Sequence, residues 1–397
     1  MWQSLAPTRR GSRRVIYGSE VDFELPASDD PRRLAVRAWI ADHPHPDAAT
    51  LAGAGYVAPH WPAPWGLGAD AELQLIIAEE LEAGGVEMVD NPIGIGWAAP
   101  TLLHAGTDAQ LQRYLRPLLT GEEFWCQLFS EPEAGSDLSS LTTKAVRDGD
   151  EWVVTGQKVW STWADRSAFG ILLARTDPDV PKHRGISYFI CPMDRPGIDI
   201  RPIKEMSGGH HFNEVFLDEV RIPAENLVGA PGDGWKLARV TLGNERVSLS
   251  SGGVCWGMGP TSDDFFDAVR SEDGVSDPVL RQRAAEMYIE SFLLQLHNRK
   301  ILSQTLAGAE PGPEASLKKL MADEHGQRIT DLAADLCGAQ AMLAGDERSG
   351  VFGGGDHDQW PWAQLFARAL TVGGGTTQVQ RNILAERVLG LPRELTS

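Results

Sequence analysis

The sequence predicts an α+β protein of three successive blocks: helices, a small antiparallel β domain, and a helical bundle. Three observations carry this. Apolar residues recur at helical spacing from Pro31 to about Glu122. Short β-rich runs replace them from Phe124 to about Gly229. Helical spacing returns after Gly232 and continues toward the C-terminus. The expected divisions are an arm over 1–30, an N-terminal α-helical domain over 31–122, a middle β domain over 123–230 and a C-terminal four-helix bundle domain over 231–397.

In the first block Leu73, Ile76, Ile77 and Leu81 share one helical face. Leu111, Tyr114, Leu115 and Leu118 share another, after the capping-type pair Thr107-Asp108. The Pro-, Gly- and Trp-rich stretch from Pro44 to Gly68 reads as a long loop. Strand runs in the second block are Trp152 to Val154, Phe169 to Leu173, Ile186 to Cys191 and Val215 to Leu217. Asp148-Gly149, Asp177-Pro178 and Pro196-Gly197 mark turns between them. In the third block helices are expected over Trp235 to Ser250, Pro313 to Ala341, Pro361 to Val372 and Thr377 to Gly390. A further long helix opens at Asp277-Pro278, where an N-cap precedes proline at N1.

A chain of 397 residues can bury a large core in several packed layers. With 42% hydrophobic and 23% charged residues, and no apolar run near the roughly 20 residues that cross a bilayer, it reads as a soluble, cytoplasmic protein with no membrane span. The net charge of −19 opposes nucleic acid as a partner, so an anionic ligand needs a local positive pocket. Cys126, Cys191, Cys255 and Cys337 form no C-x-x-C pair, which argues against a disulfide framework or a zinc site. Arg9, Arg10, Arg13 and Arg14 make the N-terminus basic, but the stretch lacks amphipathic periodicity and Glu20, Asp22 and Glu24 follow. A partner-clasping arm fits these residues better than a transit peptide.

Five motifs stand in order: SEPEAGSD (130–137), GQKVW (156–160), EVFLDEVRIPAENLVG (214–229), GGGTTQVQRN (373–382) and LGLPRE (389–394). With the α, β, α block order they resemble the acyl-CoA dehydrogenase family across nearly the whole chain. The resemblance implies that family's fold, an FAD cofactor, and oxidation of an acyl-CoA thioester to the trans-2-enoyl-CoA, with electrons passing to an electron-transfer flavoprotein. A flavin needs fixed donors at its pyrimidine edge and an apolar wall against its ring. By resemblance, Gln127, Phe129, Ser130, Gly135, Ser136, Trp160 and Thr162 bind FAD or the adjoining thioester, and Thr376 and Gln378 lie on the adenosine side. Ser136 and Arg246 are also expected at the substrate. In the family SEPEAGSD and GQKVW are expected on strands that face one site. On residue type alone, Trp160 reads as a core tryptophan and Ser130 as a turn hydroxyl.

Desaturating a thioester requires a base for the weakly acidic α proton and donors for the thioester oxygen. Many family members place a Glu just before the Gly-Thr of the C-terminal motif, where this chain has Gly374. Isovaleryl-CoA dehydrogenase and its relatives use a Glu-Arg pair on the helix after the β domain, and TLGNERVSL (241–249) matches with Glu245 and Arg246. Ala238, Leu242, Glu245 and Leu249 fall on one helical face, so the Glu shares an apolar stripe. The competing reading of Glu245 is a structural ion pair with a nearby Arg. Gly374 retains a backbone N–H that can serve the thioester carbonyl.

Two further family features are degraded. The Arg-x-Thr/Gln-Phe-Gly segment that grips a neighbour's FAD pyrophosphate is replaced by AVRSEDGVSDPVLRQR (268–283), and Gly-Gly-x-Gly by Gly338-Ala339-Gln340-Ala341. These losses resemble the heteromeric sterol side-chain acyl-CoA dehydrogenases. They imply a second acyl-CoA dehydrogenase subunit in a heterotetramer, with this chain as the catalytic one. A bulky or branched acyl group, such as a steroid side chain, goes with Glu on the middle helix and with the small residues of GIGWAAP (94–100). The alternatives are a non-catalytic structural subunit, which would have no use for Glu245, and an acyl-CoA oxidase, which usually carries an extra domain. His210 and His211 read as an exposed β-loop, and Lys182, His183 and Arg184 as a hairpin displaying solvated charge.

Overall fold

The computed structural model describes residues 26–251, 254–271, 277–306, 312, 315–342 and 359–393. The basic arm at Arg9 to Arg14 lies outside these residues. Helices α1 (Pro31–Asp42), α2 (Ala48–Gly53), α3 (Ala71–Ala83), α4 (Ala99–Ala105) and α5 (Asp108–Leu119) form the first layer, with a π-helical turn over Gly94–Ala98 leading into α4. The loop expected over Pro44 to Gly68 is interrupted by α2, which Asp47 caps by accepting from the Thr50 N–H. The second sequence signal is local and clear: Thr107 and Gln110 close a reciprocal capping box on α5. Val36, Leu51, Ile76, Ile77 and Leu81 pack α1, α2 and α3 together, and Arg33 and Arg37 both clasp the buried Glu80.

Eight strands follow in one sheet. They are β1 (Trp125–Leu128), β2 (Lys144–Asp148), β3 (Glu151–Thr162), β4 (Phe169–Arg175), β5 (Ile186–Pro192), β6 (Ile198–Pro202), β7 (Phe212–Pro223) and β8 (Leu227–Val228). Their order is β6-β7-β3-β2-β4-β5-β8, with β1 alongside β4. The four expected runs lie inside β3, β4, β5 and β7. The sheet is not wholly antiparallel as the sequence suggested: β1 runs parallel to β4, and β2 meets β4 in parallel at Lys144–Arg175. The long connection from β1 through SEPEAGSD returns the chain to the same side of the sheet, which a hairpin cannot do.

Helices α6 (Gly234–Ser251), α7 (Ser262–Ser271), α8 (Pro278–Leu306), α9 (Ala315–Cys337), α10 (Gln359–Phe366) and α11 (Thr377–Ile383) form the last layer. Asp277 caps α8 through the Val279 and Leu280 N–H groups. α7, a short helix with Phe265 and Phe266 buried, has no counterpart among the expected helices. Three expected helices end early: α9 gives way to a 3-10 turn over Gly338–Met342, α10 to a 3-10 turn over Ala367–Ala369, and α11 to a π-helical turn over Leu384–Val388.

One face of the sheet packs on α5 and α6 through Leu115, Leu118, Trp125, Ile171, Ile190, Leu237 and Ala238. All three blocks meet at a buried hydroxyl cluster. Thr241 Oγ1 on α6 lies 2.7 Å from Thr101 Oγ1 on α4 and 3.0 Å from Tyr188 Oη on β5. Such a cluster is stabilising only when each hydroxyl is satisfied, so it fixes how α6 sits on the other two layers. Replacing Thr107 with Ala removes the box that starts α5 and should cost about 1 kcal/mol, while Thr107→Ser should cost little. Urea unfolding checks this: the Ala variant should unfold at lower urea and the Ser variant near wild type.

Candidate active site

Glu245 lies on α6 one helical turn beyond Thr241, so the hydroxyl cluster that anchors the helix also sets where its carboxylate is placed. The side chain is 6% exposed, between the helical layers and the sheet. Among the described residues its side chain has one hydrogen bond, from Gln127 Nε2 on β1 at 3.2 Å. Burial raises its pKa above the usual 4.5; Gln127 and the nearby positive charges of Arg246 and Lys319 oppose that shift without cancelling it. No ion pair within 4 Å neutralises Glu245 among the described residues. Arg246, half-buried beside it, has its own charged form disfavoured by burial and supported by Glu245. The side chain of Leu249 lies outside the described residues, whereas Ala238 is fully buried on the same face.

Gln127, expected at the cofactor, donates its amide to Glu245. Phe129 is buried, with its ring edge against Tyr188 at 5.9 Å. SEPEAGSD does not lie on a strand. It forms a loop after β1, closed by a bridge between Glu131 and Ala134, in which Gly135 and Ser136 are exposed and Ser130 is half-buried. Asp137 of that loop accepts from Lys182 Nζ at 2.7 Å and from Ser139 and Ser140, so Lys182 is tied to the motif rather than merely solvated. His183 sets its ring edge on Trp235 at 4.8 Å. His211 pairs with Glu205 at 3.0 Å in a loop that leads into β7.

GQKVW does lie on a strand, β3. Trp160 is 60% exposed and sits at φ 60, with its ring edge on Phe212 at 6.0 Å. The pairing of β3 with β7 slips between Lys158 and Ser161, and this bulge turns Trp160 out of the core. A left-handed tryptophan costs on the order of 1–3 kcal/mol, a strain that the surrounding ladder holds in place. Residue type alone would bury Trp160, and the bulge exposes it instead. Thr162 ends the strand, paired with Phe212.

Gly374 and Gly375 are consecutive left-handed residues at φ 64 and 92, and both carbonyls accept from Gln380 Nε2 at 3.1 and 3.2 Å. A Cβ on Gly373 would collide with the Trp256 ring. The turn thus leaves no unstrained place for a side chain, which gives a physical reason for the absence of a carboxylate here. Thr376 caps α11 by accepting from the Val379 N–H, and Gln378 is exposed. The described hydrogen bonds of 374–378 run to Thr371, Val379 and Gln380, and none of them reaches Glu245.

Two buried pairs escaped the sequence reading. Lys158 on β3 meets Glu131 at 2.8 Å, and Lys319 meets Asp323 on α9 while donating to the Leu370 carbonyl at 3.2 Å. Burial pushes the Asp323 carboxyl up to about 6 against the pull of Lys319. The signals were present. Lys158 is in phase with the buried Trp152 and Val154, and Lys319 and Asp323 stand four apart on one helix.

Because the folded chain holds the Glu245 proton more tightly than the unfolded chain, ionising Glu245 costs stability. That cost is absent below the ordinary carboxylate range, grows as pH rises through the raised folded value, and is complete above it. Glu245→Gln should therefore raise the melting temperature more at pH 8 than at pH 5. A melting difference independent of pH contradicts this.

Models of the acyl-CoA dehydrogenase N-terminal, middle and C-terminal domains match residues 32–122, 126–220 and 232–389. The chain is 41% identical to acyl-CoA dehydrogenase FadE34 of Mycobacterium tuberculosis over 98% of its own length, but spans only 52% of that protein. It is 36% identical to acyl-CoA dehydrogenase IpdE1 of the same organism, with 91% of this chain and 97% of that one covered. Among solved structures it resembles the Tcur3481-Tcur3483 steroid ACAD at a TM-score of 0.77 and 27% identity, covering 94% of this chain and 100% of that one. The ChsE4-ChsE5 complex from Mycobacterium tuberculosis aligns at a TM-score of 0.74 and 28% identity, with the same coverage. The chain belongs to the acyl-CoA dehydrogenase family.

Proposed function

We propose that this protein desaturates the α,β bond of a bulky or branched acyl-CoA, such as a steroid side-chain thioester, using FAD and passing electrons to an electron-transfer flavoprotein. The observation that carries the reading is Glu245: a buried carboxylate with raised proton affinity and one amide partner. A structural ion pair would bring a cation into contact with it and hold its pKa down.

The residues present suit a flavin. Trp160 offers an exposed indole that the bulge turns outward, and Ser130, Gly135 and Ser136 of the loop after β1 offer polar main chain and hydroxyls. Gln127, Phe129 and Thr162 complete the ring site, and Thr376 and Gln378 the adenosine side. FAD, when bound, accepts hydride from the substrate β carbon. Glu245 takes the α proton on a carboxylate oxygen, and its raised pKa brings it nearer to a thioester's weak acidity. Gln127 keeps that carboxylate oriented. The Gly374 N–H donates to the thioester oxygen, and Ser136 and Arg246 contact the substrate.

The three units are assigned to 31–122, 123–230 and 231–397, with an arm over 1–30. The assembly is a heterotetramer with a second acyl-CoA dehydrogenase subunit. Tyr288, Ile289, Phe292 and Leu293 form an exposed apolar stripe on α8, and two similar solved structures are named as pairs of different proteins. Catalysis is favoured over a structural role because only a catalytic chain gains from leaving a carboxylate buried without an ion pair.

Co-expressed with a homologous subunit encoded beside it, the protein should carry fewer flavins than subunits, and its flavin should bleach with a bulky acyl-CoA. Expressed alone it should be flavin-poor or inactive; an active homotetramer with one FAD per chain contradicts the assembly. Glu245→Gln should retain flavin and lose at least 95% of turnover, since an amide accepts no proton. Turnover above a few per cent of wild type excludes Glu245 as the base.

A further inference from the structure

A buried ion pair joins the two motifs assigned to the flavin. Lys158 of GQKVW is fully buried, and its Nζ donates to Glu131 Oε1 of SEPEAGSD at 2.8 Å and to the Phe129 carbonyl at 3.0 Å. The Glu131 carboxylate is nearly saturated. It also accepts from the Thr142 N–H at 2.6 Å, the Thr142 hydroxyl at 2.8 Å and the Thr143 N–H at 2.9 Å. Glu131 is held ionised at about 2 by Lys158 and these donors, despite burial. Burial lowers Lys158 to about 8, which still leaves it mostly charged at neutral pH. Desolvating both partners makes such a pair a weak source of stability, and its better-attested use is to fix register.

What it fixes is one peptide unit. The Phe129 carbonyl and the Ser130 N–H belong to the same planar trans peptide, so they point in opposite directions. With the carbonyl held by Lys158, the Ser130 N–H is turned away from the ion pair, and no described residue accepts from it. The next carbonyl, that of Ser130, accepts from the Val159 N–H at 2.9 Å. Two consecutive carbonyls of the loop are thus tied to two consecutive residues of β3, immediately before the outward-turned Trp160. A cation on the carbonyl also polarises the amide and strengthens its N–H as a donor.

We propose that Lys158, held by Glu131, is a positioning residue for the flavin: it orients and polarises the Phe129–Ser130 peptide so that the Ser130 N–H meets the pyrimidine edge of FAD. This rests on the FAD reading above. Reduction adds negative charge to that edge, so the polarised donor should stabilise the reduced form more than the oxidised form. A merely structural pair would alter folding but not the potential of the flavin that remains bound.

The test uses the full chain co-expressed with its partner subunit and measures the FAD dissociation constant by fluorescence and the flavin midpoint potential by spectroelectrochemistry. Lys158→Met should bind FAD at least tenfold more weakly and lower the potential, with circular dichroism unchanged. Should that variant not fold, Lys158→Gln, which keeps a donor but no charge, takes its place and should also lower the potential. Wild-type affinity and potential in a folded Lys158 variant overturn the proposal alone. Wild-type complex that takes up no added FAD overturns the flavin reading and the proposal with it.

Discussion

The geometry of this protein centres on keeping one carboxylate in an interior where no described residue forms an ion pair with it. Glu245 is buried where the helical layers close on the sheet, and a lone amide from Gln127 is its hydrogen-bonded contact. Burying a charge this way is costly, so the surroundings must be rigid enough to prevent the side chain from swinging out to water. The Thr101, Thr241 and Tyr188 hydroxyls supply that rigidity one turn away, joining α4, α6 and β5 at a single point. Position and proton affinity therefore have one common origin, the packing of α6.

The surrounding loops show the same economy of means. A bulge in β3 places Trp160 in a left-handed conformation and turns it outward, while two tied carbonyls fix the loop that precedes it. At the other end of the chain, consecutive left-handed glycines at 374 and 375 make a turn whose functional groups are main-chain ones. A carboxylate at position 374 would have to adopt a backbone conformation that costs side-chain-bearing residues energy.

Much of this was legible in the sequence, because the signals were local. The capping box at Thr107, the N-cap at Asp277 and the apolar faces of α3 and α5 depend on residues within a turn of each other. The Glu245 stripe was also readable, since helical phase alone puts it beside Ala238. What stayed hidden was long-range. The parallel pairing of β1 with β4, the loop rather than strand at SEPEAGSD, and the meeting of Gln127 with Glu245 across 118 positions are set by topology. Residue type alone would bury Trp160, the motif placed it at the flavin, and only the register slip with β7 shows its exposure. Lys158 was passed over because lysine is rarely a core residue, although its phase on β3 marked it as one.

The most direct measurement of the central claim is an infrared titration of the Glu245 carboxyl, taken as the difference between wild type and Glu245→Gln from about pH 4 to 8. The account predicts that the protonated carbonyl stretch persists well above the ordinary glutamate value of 4.5, because burial outweighs the Gln127 bond and the nearby cations. A band that disappears with an ordinary midpoint would mean that Glu245 is solvated or paired in the working protein, and would contradict the account.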